Sequence, residues 1–163
     1  MKKLLYVTLG FICLLVVESC RQKPQSSVDE TTEFRGSLTS EDTVQMLKLC
    51  DDCMVLLKNK NIDGALAMLN EYDDSTNCVQ PLTDPTKAKY TRVFNMFPVL
   101  EYELAGYTFV QEGLNDVKYT ITFAEEDHPE KNGEPKTSFM FNPVKIDGQW
   151  YLTVKRPDQE SKL

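Results

Sequence analysis

The hydrophobic pattern changes period once along this chain, and the change divides it into a helical half and a sheet half. From Thr39 onward, Met46, Leu47, Cys50, Cys53, Met54 and Leu57 share one broad face at ~100° per residue, while Gln45, Lys48, Asp51 and Asp52 fall opposite. Thr39 with Asp42 three residues on reads as a capping box. Asn59-Lys60-Asn61 ends that helix, and Ile62 to Tyr72 reads as a second, with Leu66, Leu69 and Tyr72 as its seam. A polar stretch, Asp73 to Asn77, precedes a short extended piece at Cys78-Val79. Asp84-Pro85 then opens a third helix, expected to run to about Phe97 and stop at Pro98.

From Val99 the period is two. Leu100, Tyr102 and Leu104 alternate, and Tyr107 and Phe109 continue on the opposite parity, so one extra residue, a bulge, is expected at Ala105-Gly106. Val117, Tyr119, Ile121 and Phe123 form a second strand, and Thr137 to Ile146 a third. Asp147-Gly148 is a two-residue hairpin turn that sets Trp150 against Lys145, Leu152 against Pro143 and Val154 against Phe141. Phe139, Phe141, Trp150, Leu152 and Val154 should then face the helices, and Pro143 calls for an edge or an irregularity. The fold class expected is α+β, with three N-terminal helices packed on a bent antiparallel meander.

Upstream of this domain, Met1-Lys2-Lys3 is a basic start and Leu4 to Val17 an apolar run shorter than the roughly 20 residues of a membrane span. Ser19-Cys20 follows. This resembles the bacterial lipobox, in which the cysteine is lipidated and the signal is cut before it; Glu18 departs from the usual pattern. On that reading residues 1–19 are a lipoprotein signal peptide and Cys20 carries acyl chains such as palmitate. Residues 20–38 are a flexible tether, 39–157 the domain and 158–163 a tail. Two or three acyl chains hold a protein stably on a membrane. Arg21-Gln22-Lys23 after the cysteine, compared with the acidic export signal of some Bacteroidetes lipoproteins, favours the periplasmic side of the outer membrane over the cell surface.

Charge narrows the partners. The formal net charge is −7, and it becomes more negative once Lys2 and Lys3 leave with the signal. A surface of that sign is repelled by phosphate backbones, which excludes nucleic acid as a partner.

The order helix, helix, short strand, helix, meander resembles the nuclear transport factor 2-like superfamily, whose helices pack into a cone-shaped sheet. Lys60-Asn61-Ile62-Asp63-Gly64-Ala65-Leu66 and the closing Asp147-Gly148-Gln149-Trp150 carry the local likeness, over about residues 40–156. The resemblance implies a cone whose lining would include Tyr102, Tyr107, Phe109, Tyr119, Phe141 and Trp150. The same resemblance places catalytic His, Asp or Tyr groups inside the cone, but the only histidine, His128, sits in an acidic loop.

Cys50, Cys53 and Cys78 with His128 make a poor zinc set, because the helix cysteines lie on the apolar arc. No metal and no cofactor are expected. In an oxidising compartment a disulfide from Cys78 to Cys50 or Cys53 is the reading to test. Glu125 to Glu130 lacks the layout of a calcium loop. Asp42-Thr43-Val44 and Asp74-Ser75-Thr76 resemble the O-glycosylation triplet of Bacteroidetes exported proteins, which makes Ser75 the better candidate and Thr43 the second. The function expected is a non-enzymatic binding or accessory lipoprotein, holding a small apolar ligand or a protein partner. An acidic inhibitor or immunity-type protein is a variant of it, and a small-molecule isomerase, dehydratase or hydrolase is the rival.

Overall fold

The computed structural model describes residues 27–124 and 135–155. Cys20, the segment before it, His128 with its acidic loop and the 158–163 tail lie outside the described residues. Four helices and six strands follow in order: α1 (Ser27–Ser37), α2 (Ser40–Lys58), α3 (Ile62–Met68), β1 (Asn70–Asp73), β2 (Cys78–Pro81), α4 (Asp84–Met96), β3 (Glu101–Gln111), β4 (Leu114–Thr122), β5 (Lys136–Ile146) and β6 (Gln149–Val154). The strands form one sheet in the order β2-β1-β6-β5-β4-β3. The α+β class is as the sequence indicated.

Local chemistry explains most boundaries. Thr39 caps α2, its hydroxyl accepting from the Asp42 N–H at 3.2 Å while the Asp42 carboxylate accepts from the Thr39 N–H at 2.9 Å. Met46, Cys50, Cys53, Met54 and Leu57 form the buried face of α2. At the closing hairpin, Asp147 and Gly148 have φ of 50° and 81°, the pair of positive values a two-residue turn needs to match strand twist. The resulting register is Lys145 with Trp150, Pro143 with Leu152 and Phe141 with Val154. In β3 the pairing moves from Leu104–Tyr119 to Gly106–Lys118, so Ala105 is the extra residue of a bulge.

Three features depart from the expectation. Residues 27–37, read as spacer, are helical, because Phe34 docks on the sheet and Arg35 donates from Nε to the Phe109 carbonyl at 2.6 Å. Tertiary docking can hold a helix that propensity alone would not. The helix expected to reach Tyr72 stops at Met68. Asn70 donates from its side chain to the carbonyls of Met68 and Leu152, which ends the helix and ties β1 to β6. That junction is parallel, Asn70 beside Thr153, so the sheet is mixed rather than wholly antiparallel.

Pro143 lies within an interior strand, and the irregularity it demands is present. The β4–β5 ladder ends at Val117–Phe141. Beyond it side chains replace the rungs: Asn142 Oδ1 accepts from the Asn115 N–H at 2.7 Å, and Asn115 Nδ2 donates to the Pro143 carbonyl at 2.8 Å. The tip of the β3–β4 hairpin reaches β1, where a Cβ on Gly113 would stand 2.2 Å from Tyr72 Cε1.

Candidate functional site

The aromatic residues expected to line a cavity are packed on one another. Phe109 contacts Phe34, Tyr107 and Trp150 at ring separations of 6.5, 5.7 and 5.9 Å, and Tyr119 contacts Tyr102 and Phe141 at 5.8 and 6.1 Å. These are ordinary edge-to-face and tilted distances for a packed core. Tyr119, Phe141 and Trp150 are buried, whereas Tyr107 is 44% exposed at the rim of β3, near the partly exposed Leu104.

The phenols are held protonated. Burial, then the Asp51 carboxylate to which its hydroxyl donates at 2.9 Å, pushes the Tyr102 pKa up to about 12. Burial raises Tyr119 as well, with smaller contributions from Cys50 and Asp51. Neither would exchange a proton near neutral pH.

Trp150 leads to a junction absent from the sequence reading. Its indole N–H donates to Asp42 at 3.2 Å, and the same carboxylate pairs with Lys145 Nζ at 2.6 Å. The Lys145 interaction first, then the backbone N–H of Thr39, holds the Asp42 carboxyl well below the usual carboxylate range. Asp42 therefore caps α2 and anchors the β5–β6 hairpin at once. A capping-box acid gives no hint of the second task in sequence.

Cys50 and Cys53 are wholly buried, and Cys78 is exposed on β2; all three are free thiols. The disulfide expected between Cys78 and α2 is not formed, since Cys78 belongs to the outermost strand while the other two face the core. Burial pushes Cys53 up to about 12 and raises Cys50 further, with Cys53 and Asp51 adding to the latter. Among the described residues no group of three or more His, Cys, Asp or Glu could hold a metal ion. Ser75 is exposed in the β1–β2 turn, where its hydroxyl donates to Asp73 at 2.7 Å, and Thr43 is half-buried in the first turn of α2. No described helix is long and apolar enough to cross a membrane.

A second group of polar residues is buried where β4, β5 and β6 meet. Asn142 Nδ2 donates to the Thr153 hydroxyl at 3.1 Å and to the Gly113 carbonyl at 3.2 Å. Lys155, 7% exposed, donates to the Asn115 carbonyl at 2.9 Å and pairs with Asp116. Asn142 and Thr153, polar positions flanked by apolar ones within strands, were the legible signal for this cluster. Beside it, α4 and β5 leave a cavity of about 220 Å³.

No family profile matches the chain. No curated protein matches it either. Among solved structures it is similar to the 2.00 Å crystal structure of a Campylobacter jejuni protein provisionally assigned as an NTF2-like transpeptidase. Identity is 15%, the match covers 72% of this chain and 100% of that one, and the TM-score is 0.38. A likeness of that depth assigns neither a family nor an activity.

Proposed function

We propose that this protein is a lipid-anchored binding or accessory module of the bacterial cell envelope, with a nuclear transport factor 2-like domain that engages its partner outside the sheet–helix interior. The observation that carries the reading is the aromatic packing: Phe109 on Trp150, and Tyr119 on Phe141, occupy the space that a small molecule would need. Binding then falls to the outer surfaces. The anchoring half of the reading rests on the basic start, the apolar run and Ser19-Cys20, and the acidic balance speaks against nucleic acid.

Two measurements test it. Mass spectrometry of the N-terminus from native membranes should find Cys20 acylated and residues 1–19 gone; an unmodified chain cut elsewhere defeats the anchor. Trp150 is the single tryptophan, so its fluorescence reports the interior directly. An apolar dye should leave that emission unchanged at equimolar ratio, whereas stoichiometric quenching would show an interior that opens for ligand.

A further inference from the structure

We propose that the outer edge of β3 takes an added antiparallel strand, a short extended segment of a partner protein with apolar residues on one face and basic residues on the other. This rests on the reading above, that partners bind outside the sheet–helix interior.

β3 is the outermost strand at its end of the sheet, so half of its backbone groups face away from β4. The pairing fixes which ones. Asn115, opposite Phe109, donates its N–H toward β5, to Asn142 Oδ1, so Phe109 directs its own N–H and C=O outward. The bond from Arg35 Nε to the Phe109 carbonyl, 2.6 Å, agrees with this. Tyr107, two residues back in the same unbroken register, points the same way. The Tyr107 N–H and C=O and the Phe109 N–H therefore form an open row, to which none of the described residues is bonded.

Side chains mark the same place. Leu104 and Tyr107 are 43% and 44% exposed, on the face that Tyr102 and Phe109 share. α2 reaches Tyr102 through Asp51 and α1 reaches Phe109 through Phe34, and the stretch between is left uncovered. The chain itself shows what this edge accepts. Phe34 and Arg35 set an aromatic ring against Phe109 and a guanidinium on its carbonyl. Tyr107 offers the neighbouring ring and carbonyl.

Charge then selects the partner. β3 carries Glu101 and Glu103 and no cation, in a chain of net charge −7. Lys58 pairs with Glu101, and Lys118 lies one strand in, opposite Gly106; Glu103 has no ion pair among the described residues. A strand alternates its faces, so apolar residues beside Leu104 and Tyr107, and Lys or Arg beside Glu103, belong to one extended segment. A second copy of this chain fits less well. Its β3 would bring the same two carboxylates again, and the Ala105 bulge breaks the long flat run that pairing of identical edges requires.

The test uses the full chain and the peptide acetyl-Arg-Val-Arg-Phe-Arg-Val-amide. Amide NMR should show saturable shifts and slowed hydrogen exchange at Tyr107 and Phe109. In an antiparallel pair the apolar residues of the peptide turn their N–H groups to β3. N-methylation of those residues should weaken binding by on the order of tenfold or more, whereas N-methylation of the arginines should leave it within a few-fold. A peptide with Glu in place of Arg should not saturate. Tyr107→Pro removes an outward N–H where an edge strand tolerates proline, and should abolish binding with circular dichroism unchanged. Should that variant fail to fold, Glu103→Lys, at an exposed position, should weaken the arginine peptide several-fold. Equal binding of the two N-methylated peptides, equal binding of the Glu peptide, or shifts confined to other parts of the molecule would each overturn the site. A dimer in sedimentation that protects the same two amides without peptide would overturn the partner in favour of a second copy. Any of these results alongside an acylated Cys20 and an unresponsive Trp150 would leave the broader reading standing, so the two failures are distinguishable.

Discussion

Trp150 and Asp42 are joined by a hydrogen bond of 3.2 Å across 108 residues of chain. It closes the domain, because Asp42 is also the acid that caps α2 and the partner of Lys145. Asp42→Asn should cost about 1–3 kcal/mol, the usual range for losing charge-assisted hydrogen bonds from a buried site. Denaturant melts read by Trp150 emission measure it; a cost near zero would show that the carboxylate contributes no more than its amide.

The same carboxylate predicts an acid response. Its folded-state pKa is lowered, so its contribution is present above the unfolded value and is lost as pH falls through that value toward the folded one. Wild-type stability should therefore begin to decline below about pH 5. Asp42→Asn should flatten that part of the profile. Parallel profiles for the two proteins would place the acid sensitivity elsewhere.

Thiol accessibility should divide the described cysteines. In the native state an alkylating agent at pH 8 should modify Cys78 rapidly and spare Cys50 and Cys53, whose thiols are buried and held protonated. Peptide mapping after denaturation should then find the other two labelled. A cross-linked peptide joining Cys78 to α2 would contradict the arrangement.

Gly113 has no room for a side chain beside Tyr72. Gly113→Ala should destabilise by about 1–3 kcal/mol, the range for overpacking. In a Tyr72→Leu background the same substitution should cost markedly less. If the two changes prove additive, the hairpin tip does not press on β1 in solution.

Phe34 fastens α1 through its edge contact with Phe109. Phe34→Ala should cost about 2 kcal/mol or more and release α1, with faster amide exchange over Ser27–Ser37 and cleavage after Arg35 by trypsin. Unchanged exchange would show that Arg35 and the Phe109 carbonyl suffice.

What the sequence disclosed were features whose causes are local. Asp147-Gly148 needs only its own backbone preferences to set the register of the last hairpin, and the parity change at Ala105 announces its bulge without reference to anything distant. The Thr39–Asp42 box is equally self-contained. Tyr72 misled because Leu66, Leu69 and Tyr72 satisfy a helical seam as well as a strand, and the decision rests on Asn70 reaching Leu152 from far along the chain. Phe34 misled for the same reason: a single large apolar residue in a polar stretch orders nothing until Phe109 is in place. The α4–β5 cavity was invisible, since Lys89 and Lys155, which both line it, are 66 positions apart in a chain with many lysines.

The parallel junction of β1 with β6 has a consequence for the order of events during synthesis. The β1–β2 hairpin is made early, but the strand it must lie against is the last of the described strands to be made. Loop closure over so long a separation comes late and slowly. A chain halted at the Asp147-Gly148 turn would have its helices and most of its sheet, yet no surface on which to seat that hairpin. The sheet cannot lock until β6 arrives, so the β1–β2 hairpin waits without its neighbour through the synthesis of α4 and of the three strands between.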